Sequence, residues 1–308
     1  MINARLWRVR MLIALGAIGC LLSGGCRNKP SSPSAASKSA SQTPPTEDDA
    51  IAKSQSFLDG GGDINEFLDK ERKHNRLHWA ASHGYRRMVR LLLDHGAEIN
   101  MPNVQGSTAL SMAAFRGFKD TADLLIARGA SVNARNAYGS SILHRAIFGA
   151  WADDVDEPRK TDRDGIITAL LAKGADLHAR DNGGKTALHS ACLTEWHQLA
   201  ELLIAKGADP AAKDGDARTP LHYCCMVDRL QHAKALIAGG ADVNSPDNEG
   251  MTPLHWAAKN DSVQTARLLL ERGATPKATD NSGKTPAEWA RGNEDSQVLP
   301  LLKAQQGR

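Results

Sequence analysis

From about residue 72 the chain alternates two kinds of short apolar pattern. The first is a block rich in Leu and Ala, as in Leu77-His78-Trp79-Ala80-Ala81 and Leu110-Ser111-Met112-Ala113-Ala114. The second is an amphipathic stretch such as "KDTADLLIARGA" from Lys119, whose apolar residues recur at helical spacing. Each second stretch stops at a glycine: Gly96, Gly129, Gly174, Gly207, Gly240 or Gly273. Glycine is suited to the left-handed backbone that ends many helices. A polar turn such as "DNEG" or "DNSG" then opens the next unit. The pattern predicts pairs of short helices separated by turns.

The pairs recur at a fixed interval. Leu77, Leu110 and Leu143 are 33 residues apart, and the register resumes at Leu188, Leu221, Leu254 and Ala287. The step from Leu143 to Leu188 is longer by 12 residues. In "TPLH" (Thr219 to His222, Thr252 to His255) the Thr caps a helix, and the Pro occupies the first helical position, where its missing N–H costs nothing. The 33-residue period and this T-P-L-H-x-A pattern resemble the ankyrin-repeat family. The resemblance implies an all-α solenoid of stacked helix pairs with projecting hairpin turns and a concave face made by the first helices. One unit cannot bury its apolar face alone, so the stack supplies the core. The expected organisation is a repeat domain over residues 49–306. It holds a degenerate N-terminal unit at 50–65, six registers, and a C-terminal cap from "NSGKTPAEWA". Ser111 departs from the motif His, Glu195 and Asp228 replace the glycine between helices, and the first register lacks its hairpin prefix.

"AAFRG", residues 113–117, raises a question about partners. Phe115 lies five residues after its register leucine, a slot that tends to vary in ankyrin repeats and to face the groove. Successive units place Ser82, Phe115, Phe148, Leu193, Met226 and Lys259 there. Four consecutive large apolar residues would form a stripe about 30 Å long. The fingertip residues Tyr138, Lys185 and Arg218 flank it, with Trp151 in the insertion. An apolar patch with a polar rim marks an interaction surface; the bland alternative is that these side chains thicken the core. Burying four such groups yields roughly 6–12 kcal/mol gross, against an association cost of about 4–15 kcal/mol. The fingertips and the insertion must therefore contribute.

The N-terminus reads as an address. Arg5, Arg8 and Arg10 precede an apolar run from Met11 to Leu22, and small residues lead to Cys26. That is the order of a secretory signal peptide over residues 1–26, too short to span a bilayer. "LLSGGC" resembles the lipobox of bacterial lipoproteins, in which the cysteine is lipidated after cleavage. Here Cys26 is the expected site, with Cys20 of "AIGC" the alternative. Residues 27–48, rich in Ser, Pro and Ala, read as a flexible tether. The resemblance implies a membrane held through a lipid anchor and an extracytoplasmic, periplasm-facing location. Arg27, in place of a retention Asp, leans toward the outer membrane.

Composition and charge narrow the chemistry. Net charge is +3 with both signs interspersed, and no basic block follows residue 30, which argues against nucleic acid. No P-loop, G-x-S-x-G or H-E-x-x-H occurs, so neither catalysis, nor a small-molecule substrate, nor a cofactor is expected. His78, His144, His189, His222 and His255 share one repeat slot, where the family's histidine makes structural hydrogen bonds. Cys192, Cys224 and Cys225 fall at small buried positions. Equivalent positions in neighbouring repeats lie about 8–10 Å apart, too far for a disulfide, so free structural thiols are expected. Trp79, Trp256 and Trp289 also share a slot and are expected to pack between units. The insertion, residues 149–165, carries Asp153, Asp154, Asp156, Glu157, Asp162 and Asp164. Pro158, Arg159 and Lys160 interrupt the acids and the EF-hand spacing is absent, so a solvated loop and partner-specificity element is expected, and calcium is the alternative. The expected function is a scaffold that binds a protein partner in the cell envelope. The resemblance to exported ankyrin lipoproteins also suggests an immunity protein that neutralises an antibacterial effector.

Overall fold

Each Leu- and Ala-rich block becomes a helix for a reason visible at its first residue. Thr219, Thr252 and Thr285 sit in extended backbone as N-caps, each followed by Pro at the start of the helix. Thr108 caps its helix through its hydroxyl, which accepts from the Ser111 N–H. Proline supplies the helical φ and gives up only an N–H that would have had no helical acceptor.

The computed structural model describes residues 45–152, 163–293 and 295–306. From Thr46 onward they form one unit. The first helices are α2 (Arg76–His83), α4 (Ala109–Arg116), α6 (Ile142–Ala152), α8 (Ala187–Ala191), α10 (Pro220–Met226), α12 (Pro253–Lys259) and α14 (Pro286–Ala290). The second helices are α1 (Glu47–Asp59), α3 (Arg86–Asp94), α5 (Lys119–Ala127), α7 (Arg163–Ala172), α9 (Leu199–Ala205), α11 (Leu230–Ala238), α13 (Val263–Glu271) and α15 (Val298–Gln306). Each first helix packs on the next first helix along the stack. The second helices stack likewise from α1 to α7 and from α9 to α15. The register leucines Leu77 to Leu254 are buried, and so is a matching series on the second helices, Leu92, Leu125, Leu170, Leu203, Leu236 and Leu269. Pairs such as Ala80–Ala81 and Ala113–Ala114 are fully buried between helices, where small side chains permit close approach. The glycines that end the second helices all take positive φ.

Three local features differ from expectation. The first register does have its hairpin. Strands β1 (Phe67–Asp69) and β2 (His74–Asn75) pair antiparallel, and the Arg72 carbonyl accepts from Val104 N–H in the next finger. Lys73 holds the turn at φ 52°, in the place where the later fingers carry glycine except for Ala217 at φ 59°, which is why the sequence concealed it. Both ends of the insertion are helical, where the sequence suggests a loop. Residues 149–152 extend α6 and 163–165 begin α7, while 153–162 lie outside the described residues. Asp228 stands where other units have glycine, at φ 54°, and Asp261 does the same at φ 55°. Each also caps the second helix of the following unit. Asp228 accepts from Thr265 N–H, and Asp261 from Gln297 and Val298 N–H. Aspartate tolerates the left-handed region better than most residues, and its carboxylate meets the positive end of a helix.

The motif histidines join one unit to the next. In His222 the ring Nδ1 accepts the Thr219 N–H at 3.0 Å, which leaves the proton on Nε2 to donate to the Met251 carbonyl at 3.2 Å. His78 reaches Ser107, His144 reaches Lys185, His189 reaches Arg218 and His255 reaches Lys284 in the same way. Their structural role is thus visible. Ser111, in the histidine slot of the second register, turns back to donate to the Thr108 carbonyl. Cys192, Cys224 and Cys225 are free and buried. Burial pushes the Cys224 and Cys225 thiols up, away from reactivity.

Candidate functional site

The face shared by the first helices and the finger roots carries the expected contact residues. Phe115 ends α4 and Phe148 lies in α6. Their rings stack with centroids 6.4 Å apart. Phe148 is 39% exposed and Phe115 half-buried. The Arg145 guanidinium covers the Phe115 ring at 4.2 Å. Leu193 and Met226 are half-buried and lean on the core. For Leu193 the cause is local: α8 stops at Ala191, so the side chain falls in the following turn and not on a helix face. The exposed apolar part of the expected stripe is therefore the Phe115–Phe148 pair. Tyr138, 37% exposed, stands on a fingertip. Trp151 sits in the last turn of α6, and its side chain lies outside the described residues, as do Cys20, Cys26 and the tether to residue 44.

The phenylalanine pair exists because two helices approach closely. Gly149 lies against the end of α4. A β-carbon there would come within 1.9 Å of the Phe115 carbonyl oxygen. The buried Arg163 fills the remaining space and donates through Nη1 to the Phe115 carbonyl at 2.8 Å, satisfying an acceptor at the helix end.

Toward the C-terminus the same face carries a row of rings and cations. Asp214, Asp247 and Asp280 each accept from an aromatic residue nine positions on: the Tyr223 hydroxyl at 2.6 Å, Trp256 Nε1 at 2.9 Å and Trp289 Nε1 at 2.8 Å. The other oxygen of each carboxylate ties its finger turn, as Asp247 does with Glu249 and Met251 N–H. For Asp280, burial raises the pKa, but hydrogen bonds from Ser282, Lys284 and Trp289 outweigh it and hold the carboxyl at about 2. Burial and the Asp214 carboxylate push the Tyr223 phenol up. Cations lie over these rings: Lys185 over Tyr223 at 5.4 Å, Arg218 over Trp256 at 4.8 Å, and Lys284 over Trp289 at 5.0 Å. Lys259 lies between two, 4.8 Å from Trp256 and 4.6 Å from Trp289. Trp256 and Trp289 thus pack between units as expected, each with its indole N–H anchored and two cations over the ring. Trp79 instead packs on Tyr85, ring edge to face, at 5.4 Å. The sequence signal for the row was the nine-residue Asp-to-aromatic spacing, together with a Lys or Arg directly before the capping Thr. The acids open the polar turns and the Trp residues share a repeat slot, but the pairing between them shows only in the structure.

Among the described residues, no group of three or more His, Cys, Asp or Glu is placed to hold a metal ion. The acids from Asp153 to Asp162 lie outside them. No described helix is long and apolar enough to cross a membrane.

The family model described as ankyrin repeats matches three times, over residues 49–136, 160–247 and 231–307. Among solved structures, the human ASB11 ankyrin repeat domain superposes with a TM-score of 0.65 at 25% identity, covering 76% of this chain and 99% of that one. None of the curated proteins compared with the chain matches it.

Proposed function

The chain belongs to the ankyrin-repeat family, whose repeats generally mediate protein–protein interaction, and from that premise we propose a non-enzymatic scaffold that holds a protein partner on its concave face. The observation that carries the site is the Phe115–Phe148 pair, exposed beside Arg145 where the groove side chains of two units meet. Burying an aromatic side chain contributes about 1.5–3 kcal/mol, so the pair is an anchor and the finger roots supply the remainder. The location proposed is the extracytoplasmic side of a membrane, outer more than inner, through lipid on Cys26 and the tether of residues 27–48. The "LLSGGC" ending and the Ser/Pro run behind it support this.

The test is capture from envelope extract by the full chain and by Phe148→Asp, after circular dichroism shows equal helicity. A partner held by the parent and lost, by about tenfold or more, in the variant is the expected result. Equal capture by both would place binding off this face. In the same cells Cys26→Ser is expected to move the chain from the membrane to the soluble fraction. If the captured partner is a lipase or wall hydrolase that loses activity on binding, the scaffold is an inhibitor.

A further inference from the structure

Some surface cations of this chain pair with carboxylates. Arg87 pairs with Asp48, Arg128 with Asp94, and Arg218 with Asp216. Among the described residues Arg145, Lys185, Lys259 and Lys284 make no ion pair, although each lies over an aromatic ring. The finger carboxylates along the row of rings are already engaged. Asp214, Asp247 and Asp280 spend one oxygen on a ring donor and the other on the finger turn behind it. Arg145 is the sharpest case. It is half-buried, its Nε has no hydrogen-bond partner, and burial lowers its pKa. The rings hold these cations in place, so little side-chain freedom remains to be lost when an anion arrives.

We propose that the partner engages this face with an acidic protein segment whose carboxylates pair with Arg145, Lys185, Lys259 and Lys284, an apolar side chain at one end meeting Phe148. The proposal rests on the groove reading above and specifies its chemistry. Repeats stack about 10 Å apart, a distance that three residues of extended chain also cover. Acids about three residues apart therefore match Arg145 and Lys185 in one pair of neighbouring units and Lys259 and Lys284 in another, with the unit of the ion-paired Arg218 between them. Nucleic acid fits less well. The ring faces are occupied by cations and not free for base stacking, and exposed fingertip carboxylates at Asp216 and Glu249 would lie against a continuous phosphate backbone.

The test measures fluorescence anisotropy of a labelled random glutamate–tyrosine copolymer with the full chain, at about 50 and 300 mM salt. Binding weakened by salt is expected. Lys259→Gln with Lys284→Gln should weaken it about tenfold, and Arg at both positions should restore it. Equal affinity in the Gln variant overturns the inference, as does oligothymidylate bound as tightly as the copolymer. So does binding that emerges only when Asp153, Asp154, Asp156 and Glu157 are changed to their amides, since the chain would then be filling the face itself. Capture of the cellular partner separates the two readings. Loss in Phe148→Asp with retention in the Gln variant keeps the groove and removes the acidic segment. Retention in both removes the groove.

Discussion

Lowering the pH from about 7 to about 4.5 is expected to cost the folded chain several kcal/mol of stability, most of it through histidine. His78, His222 and His232 are buried, and burial takes their pKa from 6.5 to about 4. His144, His189 and His255 move in the same direction for the same cause. A lowered histidine pKa means that the unfolded chain takes up the proton first. The stabilising contribution is present above 6.5 and drains away as the pH falls toward 4. Each of the three contributes a loss of about 2 kcal/mol by pH 4.5, and the whole margin of a folded protein is only ~5–15 kcal/mol. Carboxylates such as Asp280, held at about 2, lose their contribution only at lower pH. Urea midpoints at pH 7, 5.5 and 4.5 check this, and an unchanged midpoint would contradict it. His222→Ala adds a second reading. It strands the Thr219 N–H and the Met251 carbonyl, costing about 2 kcal/mol at neutral pH. Its deficit should shrink at pH 4.5, because alanine has no proton to gain. Parallel curves for parent and variant would remove the histidine explanation.

Gly149→Ala is expected to destabilise the protein by about 2–3 kcal/mol. The sign is informative because two effects oppose. Inside a helix, alanine is better than glycine by about 1 kcal/mol. Here the added carbon would lie 1.9 Å from the Phe115 carbonyl oxygen and 2.4 Å from Arg163 Nη1. Backbone oxygen cannot yield as a flexible side-chain end can, so α6 must move away from α4, and Arg163 loses its acceptor. The contact outweighs the propensity. A thermal melt reads the result, and a more stable variant would show that the two helices are not held as close as described. Since Phe115 and Phe148 are stacked by this approach, the same variant should also weaken partner capture.

The repeat architecture was legible because the period copies itself. Register leucines, capping threonines and terminal glycines each recur where the same backbone problem recurs, and the structure buries or caps them accordingly. What the sequence hid were solutions using a different residue. Lys73 and Asp261 take left-handed turns without glycine, so the first hairpin and one unit's turn carried no signal. The helical ends of the insertion were hidden because Gly149 reads as a breaker, whereas it marks the close crossing of two helices. Of the stripe, Phe115 and Phe148 are side by side, while the shortness of α8 turns Leu193 toward the core. The ring-and-cation row depends on contacts between units, which a single unit's pattern does not contain.

On the reading proposed above, the partner lies on the first helices and finger roots. Hydrogen exchange of the full chain with and without its captured partner tests it most directly. Slowed exchange over 109–116, 142–149 and the finger roots before Thr186, Thr219 and Thr285 is the expected result, with α5, α11 and α13 unchanged. Protection confined to α5, α11 and α13 would put the partner on the opposite side and contradict the account.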